Sequence, residues 1–120
     1  MGGFAEALKS IAGKVPEAQL LIIMATDGIP VQKLVVRQDP NLEAVAAEYT
    51  ALLRASVSAA TDTGLGTLHE LTVVTDRMTA LLVGITPEYF LFAALSPGAL
   101  LGRAQFALRL AGLTLQPEFL

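Results

Sequence analysis

The sequence predicts an α+β domain in which one antiparallel sheet of five strands carries helices on both faces. Hydrophobic periodicity gives the element order α-β-β-α-β-β-β-α over 120 residues. Residues 19–25 are continuously apolar, as in a central strand that is covered on both faces. Strands over 68–75, 78–85 and 89–95 are separated by connections that fit only tight turns, so neighbouring strands run antiparallel.

The first half of the chain supplies two helices and a hairpin. Apolar residues recur at helical spacing over 3–14, and Pro16 ends that helix. Residues 31–38 mix β-branched and charged side chains, which is typical of an edge strand. A long helix over 41–63 opens at Asp39-Pro40 and ends at Gly64-Leu65-Gly66.

The end of the chain predicts one more helix and a short tail. Ser96 is a good N-cap, Pro97 fits the first helical position, and Gly112 is expected to end the helix. The residues that follow are apolar and contain Pro117, so the tail is expected to dock on the body of the protein or on a partner.

The long helix has two apolar faces, whereas a surface helix normally has one. Thr50 and Arg54 belong to the polar border between those faces. The bulky face is predicted to lie on the core: Leu42, Val45, Ala46, Tyr49, Leu52, Leu53, Val57 and Ala60. The opposite face is a stripe of small residues: Ala44, Ala47, Ala51, Ala55, Ser58 and Ala59. Small side chains let two helices approach closely, so the stripe predicts a contact surface; alternatively, alanine serves there only as a strong helix former.

Composition excludes several functional classes. The chain is 53% hydrophobic and 16% charged, against a usual charged share of about 25%, so it has apolar surface to spare for a partner. The net charge is −3 and the eight basic residues are dispersed, which argues against nucleic-acid binding. No apolar run reaches membrane-spanning length and no signal peptide is visible. The absence of cysteine fits a cytoplasmic protein.

The search for catalytic chemistry predicts a protein that is not an enzyme and needs no cofactor or metal. His69 is the only histidine, and the serines that could serve it (Ser56, Ser58 and Ser96) lie outside any Gly-x-Ser-x-Gly turn. One histidine without cysteine leaves a metal only carboxylates, and most of these lie at turns and caps. Arg103 and Arg109 are interpreted as solvated helix charges, the alternative being arginine fingers for a GTPase.

Four motifs in order resemble the Roadblock / dynein light chain domain family, in its bacterial mutual gliding-motility protein B-like branch. They are the Asp-Gly turn and return strand at 26–31 (TDGIPV), the break at 63–71 (TGLGTLHEL), the segment 85–91 (ITPEYFL), and the leucine-glycine pair at 101–102. The resemblance covers nearly the whole chain, which implies a Roadblock-like domain over 1–113 and an apolar C-terminal tail over 114–120. Gln105 departs from the pattern, since the family is expected to have a basic residue there.

The resemblance implies a profilin-like sandwich that forms dimers. Third strands pair edge to edge and second helices pack side by side, which places the alanine stripe and the strand Glu70, Leu71, Thr72, Val73 and Val74 in the dimer interface. GTPase partners of the family dock on the paired helices, where Glu43, Glu48 and Arg54 are the exposed candidates.

The implied function is a non-catalytic homodimeric scaffold that binds and regulates a small Ras-like GTPase. Two alternatives stay open. One is a structural adaptor for a motor, kinase or receptor, without effect on nucleotide turnover. The other is a small-ligand sensor, which an internal pocket with converging polar groups would favour.

Overall fold

A computed structural model describes residues 3–120 and confirms the predicted class and element order. Three α-helices surround five strands, and a short 3₁₀ helix follows the last α-helix. The elements are α1 (Gly3–Lys14), β1 (Ala18–Ala25), β2 (Pro30–Val35), α2 (Pro40–Asp62), β3 (Glu70–Val74), β4 (Thr79–Thr86), β5 (Tyr89–Leu95), α3 (Leu101–Leu115) and the 3₁₀ helix Gln116–Phe119.

The five strands form one antiparallel sheet in the order β2-β1-β5-β4-β3. The apolar strands β1 and β5 lie inside the sheet, as continuous burial on both faces requires. The two polar or half-exposed strands, β2 and β3, form its edges. The edge position predicted from the lysine and arginine of residues 31–38 is therefore confirmed.

Each face of the sheet has its own hydrophobic core, because side chains alternate along every strand. One core lies beneath α1 and α3 and includes Leu8, Leu91 and Leu108. The other lies beneath α2 and is built around Leu42 and Phe92. The predicted placement of helices on both faces is confirmed, with two helices on one side and one on the other.

The predicted limits of α3 are wrong at both ends. Ser96 and Pro97 belong to a turn in which Gly98 has φ +81°, and the helix begins at Leu101 without a side-chain cap. Gly112 lies inside the helix rather than after it. A β-carbon added at Gly112 would lie 3.3 Å from the carbonyl oxygen of Gly84, so this glycine permits close packing of α3 on β4.

The segment after α3 packs on the body of the protein. The ring of Phe119 stacks on the rings of Tyr89 and Phe4, with centroid distances of 4.2 Å and 5.1 Å. The side-chain amide of Gln116 donates a hydrogen bond of 3.0 Å to the carbonyl of Ile85. The sequence predicts that the tail docks either on the body of the protein or on a partner, and in the structure it docks on the body.

Candidate protein–protein interface

Helix α2 packs on the sheet through one face, where Val45 and Tyr49 lie partly buried against the core beside a line of buried residues. Four of its 23 residues are fully buried: Leu42, Ala46, Thr50 and Leu53. Their spacing of four, four and three residues keeps them on one line along the helix. The prediction that Thr50 belongs to a polar border is wrong, because Thr50 is buried. Its hydroxyl donates a hydrogen bond of 2.7 Å to the carbonyl of Ala46 within the same helix. That internal bond makes burial of the threonine inexpensive.

The opposite face of α2 is exposed along its whole length. All six residues of the predicted small-residue stripe are exposed, and we call this surface the α2 seam: Ala44, Ala47, Ala51, Ala55, Ser58 and Ala59. Leu52 and Val57, for which helical periodicity predicts a position facing the core, are each 41% exposed, so that part of the prediction is wrong. The limited contact with the sheet explains the difference. As a result, α2 presents more apolar surface to solvent than the alanines alone supply.

Within residues 3–120, one row of backbone groups on strand β3 has no strand partner. The carbonyl of His69 accepts a hydrogen bond of 3.0 Å from the amide of Gly84 on β4. Backbone direction alternates along an antiparallel strand, so Leu71 and Val73 also point their amides toward β4. The amides of the alternate residues Thr72 and Val74 therefore point outward. We call this row the β3 edge.

The side chains of β3 are divided between the two faces of the sheet. Leu71 and Val73 pack against the core beneath α2, so they lie on the same side of the sheet as that helix. Val74 lies at the end of the strand and is 68% exposed. The β3 edge and the α2 seam are thus two exposed surfaces on elements that border the same core.

Glu70 is held on the opposite side of the sheet by residues of α3. Its carboxylate accepts hydrogen bonds from the side-chain amide of Gln105 at 2.6 Å and from Nε of Arg109 at 2.8 Å. Arg109, interpreted from the sequence as a solvated helix charge, keeps 59% of its side chain exposed while it forms this ion pair. Gln105, which departs from the family pattern, has a structural role as the second donor to this carboxylate. Only the backbone of Glu70 is left to take part in edge pairing.

Two of the three predicted partner-binding residues make contacts within the chain. Lys33 on β2 forms an ion pair with Glu43. Nη1 of Arg54 donates a hydrogen bond of 2.8 Å to the carbonyl of Thr26, at the turn between β1 and β2. Glu48 is exposed and makes no ion pair among residues 3–120. These contacts tie α2 to β2 and to the turn between β1 and β2.

An open groove of about 930 Å³ lies beside the end of α2. Its lining includes Val57, Gly66, His69, Glu88 and residues of the C-terminal segment. Within residues 3–120, no cluster of three or more side chains is suited to holding a metal ion. Over the same range, no helix combines the length and apolar character that a membrane crossing needs.

The comparisons with known proteins give structural matches only. No family model and no curated protein matches the sequence. The gliding protein MglB from Thermus thermophilus superposes with a TM-score of 0.84 at 16% identity, covering 96% of this chain and 87% of that one. A Roadblock/LC7 domain from Streptomyces avermitilis gives 0.80 at 16% identity, with 92% of each chain covered. MglC from Myxococcus xanthus gives 0.70 at 24% identity, with 97% and 98% covered.

These matches extend over almost the whole of each chain, so they compare complete domains. The chain has the Roadblock/LC7 fold, and the resemblance carried by its sequence motifs is confirmed at the level of structure. At these identities the likeness concerns the fold; interface residues and partners have to be argued from the chain itself.

Proposed function

We propose that this chain is a cytoplasmic, non-catalytic member of the Roadblock family that forms a homodimer and regulates a small Ras-like GTPase. The observation that carries the proposal is that two successive elements each expose a surface suited to association, the α2 seam and the β3 edge. One is a helix face of small residues and the other a row of free backbone amides. Each is suited to meet a copy of itself across a twofold axis.

The β3 edge supports dimerisation by backbone pairing. An unpaired edge strand is open to association with any other strand, and pairing with a second β3 removes that hazard. Two five-stranded sheets would then become one continuous sheet. Because helix α2 lies over the same core as Leu71 and Val73 of β3, edge pairing would bring the two helices side by side on one face of the continuous sheet. The small side chains of the seam allow their close approach.

The paired helices would provide the platform for the GTPase. Glu48 is the exposed charge on that surface without an intramolecular ion partner in the described range, whereas Glu43 and Arg54 are already engaged. Arg109 is engaged as well, by Glu70. We therefore propose that the chain acts on the switch loops of the GTPase by holding them in one arrangement, and does not donate a catalytic arginine.

The test uses the Ras-like GTPase encoded nearest to the gene for this chain. Binding is measured by fluorescence with the GTPase loaded with a labelled GDP or GTP analogue, and multiple-turnover GTP hydrolysis is measured with and without the chain. We expect binding that depends on the nucleotide and a changed rate of hydrolysis. Absence of both effects would refute the regulatory role.

Charge reversal locates the contact on the platform. Glu48→Lys is expected to weaken binding, because it reverses an exposed charge beside the α2 seam. Glu6→Lys on α1 is the matched control, because it makes the same reversal on the other side of the sheet. Equal effects of the two variants would show that long-range charge, rather than the α2 surface, governs binding. A bound GTPase with unchanged hydrolysis would favour the structural adaptor.

A further inference from the structure

The layer formed by α1 and α3 has an exposed apolar surface that the dimer and the GTPase platform do not use. On α3, Phe106 and Leu113 are each 65% exposed, and Leu110 is 43% exposed. Their spacing of four and three residues places them on one outer face of the helix. We call this face the α3 ridge. It lies on the opposite side of the sheet from α2.

A groove of about 360 Å³ runs between the α3 ridge and α1. Small side chains line much of it, with Ala7 and Ser10 on α1 and Ala107 and Ala111 on α3. Leu110 belongs to both the groove and the ridge. A groove between two helices, lined by small residues and bordered by a large apolar side chain, is suited to binding a third helix.

Helices α1 and α3 carry an excess of positive charge, but two carboxylates lie at the groove, because Glu6 lines it and Glu118 lies beside Gly3 at its edge. Helices α1 and α3 carry four cations (Lys9, Lys14, Arg103 and Arg109) and one carboxylate, Glu6, although the chain has a net charge of −3. Glu6 faces Lys9 at 4.0 Å, and Glu70 engages Arg109.

Two cations of the layer are left for a partner. Lys14 lines the groove, and Arg103 lies on α3 one turn before the ridge. Neither forms an ion pair within residues 3–120.

We propose that the α1/α3 groove binds an acidic amphipathic helix of a partner protein. The apolar side of that helix packs on Leu110 and the small residues of the groove, and its flanking carboxylates meet Lys14 and Arg103. The groove shape favours a helix over a flat lipid surface. The two cations without an ion pair in the described range, Lys14 and Arg103, favour an acidic partner, since oppositely charged surfaces select one another. This proposal does not rest on the GTPase or on dimerisation.

The probe is a fluorescein-labelled peptide of about 15 residues, which matches the length of the helices that form the groove at 1.5 Å per residue. Leucines occupy every third or fourth position, and glutamates flank them. A second peptide replaces every glutamate with lysine. Fluorescence anisotropy is expected to show saturable binding of the acidic peptide that weakens with added salt. No binding of the acidic peptide, or equal binding of both peptides, would overturn the proposal.

Two variants with matched controls locate the binding site. Leu110→Glu is expected to weaken binding of the acidic peptide about tenfold or more, and Leu65→Glu, in the exposed loop after α2, is expected to leave it unchanged. Arg103→Glu is expected to weaken it, with Arg77→Glu, in the turn after β3, as its control. If Leu110→Glu fails to fold, the binding measured for Arg103→Glu still tests the proposal, because Arg103 is exposed.

Other occupants give different outcomes in the same experiment. Vesicles of equal parts phosphatidylcholine and phosphatidylserine would sediment with the wild type, but not with Leu110→Glu, if lipid were the ligand. A molar mass above that of the dimer, lost in Leu110→Glu, would identify a second copy of the chain. Loss of peptide binding in Ala51→Glu would place the peptide on α2. Each of these results would overturn the proposal.

Discussion

Ala51→Glu is expected to split the dimer without unfolding the protomer. Ala51 lies in the middle of the α2 seam and is exposed in the isolated chain. Glutamate is a good helix former, and its intrinsic helix propensity costs the protomer only about 0.4 kcal/mol relative to alanine. The helix itself should therefore form as before.

The effect on the dimer is much larger, because a twofold seam receives the change twice. Each protomer brings one new carboxylate into a surface of small apolar side chains, where an unsatisfied polar group costs about 2 kcal/mol. Two such groups cost about 4 kcal/mol, and with 1.4 kcal/mol per factor of ten the dissociation constant rises about a thousandfold. A dimer that is stable at micromolar concentration should then be a monomer.

Light scattering after size exclusion measures the molar mass of wild type and variant at matched concentrations, and circular dichroism verifies the helix content. Ser10→Glu on α1 is the control, because it adds the same charge to an exposed small residue on the other side of the sheet. A variant that stays dimeric would show that the α2 seam does not lie in the dimer interface. A monomeric wild type would refute dimerisation itself.

Four further substitutions test the edge, the helix packing and the tail. Thr72→Pro removes an outward amide of the β3 edge, so it should weaken the dimer while the protomer stays folded; a folded, fully dimeric variant in sedimentation would contradict edge pairing. Gly102→Ala has open space around the new methyl group and should raise thermal stability by up to about 1 kcal/mol, whereas Gly112→Ala meets the carbonyl of Gly84 and should gain less or lose. Equal melting temperatures for the two variants would refute the close-contact role. Phe119→Ala should lower stability by about 1 kcal/mol or more through loss of two stacked ring contacts; unchanged denaturant unfolding would show that these contacts do not stabilise the protomer.

Sequence periodicity predicts most of the fold because the strands differ strongly in character. The continuous apolar run of β1 and the mixed pattern of β2 determine which strand is central and which is at the edge. The errors in the predicted helix limits arise because glycine can either end a helix or allow close packing inside one. Glycine is typical of the residue after a helix, but Gly112 lies inside α3 and packs closely against the carbonyl of Gly84 on β4. Gly84 is far from Gly112 in the sequence. No local pattern carries that information.

The candidate interface is predictable in part for a related reason. The small-residue stripe is visible as a helical pattern, and all six of its members are exposed. The exposure of Leu52 and Val57 is not visible, because it depends on how little of α2 rests on the sheet. Likewise, the engagement of Glu70 by Gln105 and Arg109 joins positions that are 35 and 39 residues apart. Charges that appear solvated along a helix can be paired across elements.

The two helical layers differ in how firmly the protomer holds them. The α1/α3 layer is bound by deep burial and by the close approach of Gly112 to β4. Helix α2 has no fully buried residue after Leu53, and the contacts of Glu43 and Arg54 restrain it only as far as its middle. A second protomer can therefore bury the remaining apolar surface of α2 without disrupting a contact that the protomer needs for its own fold. This asymmetry favours α2, rather than α3, as the layer whose packing the proposed dimer would complete.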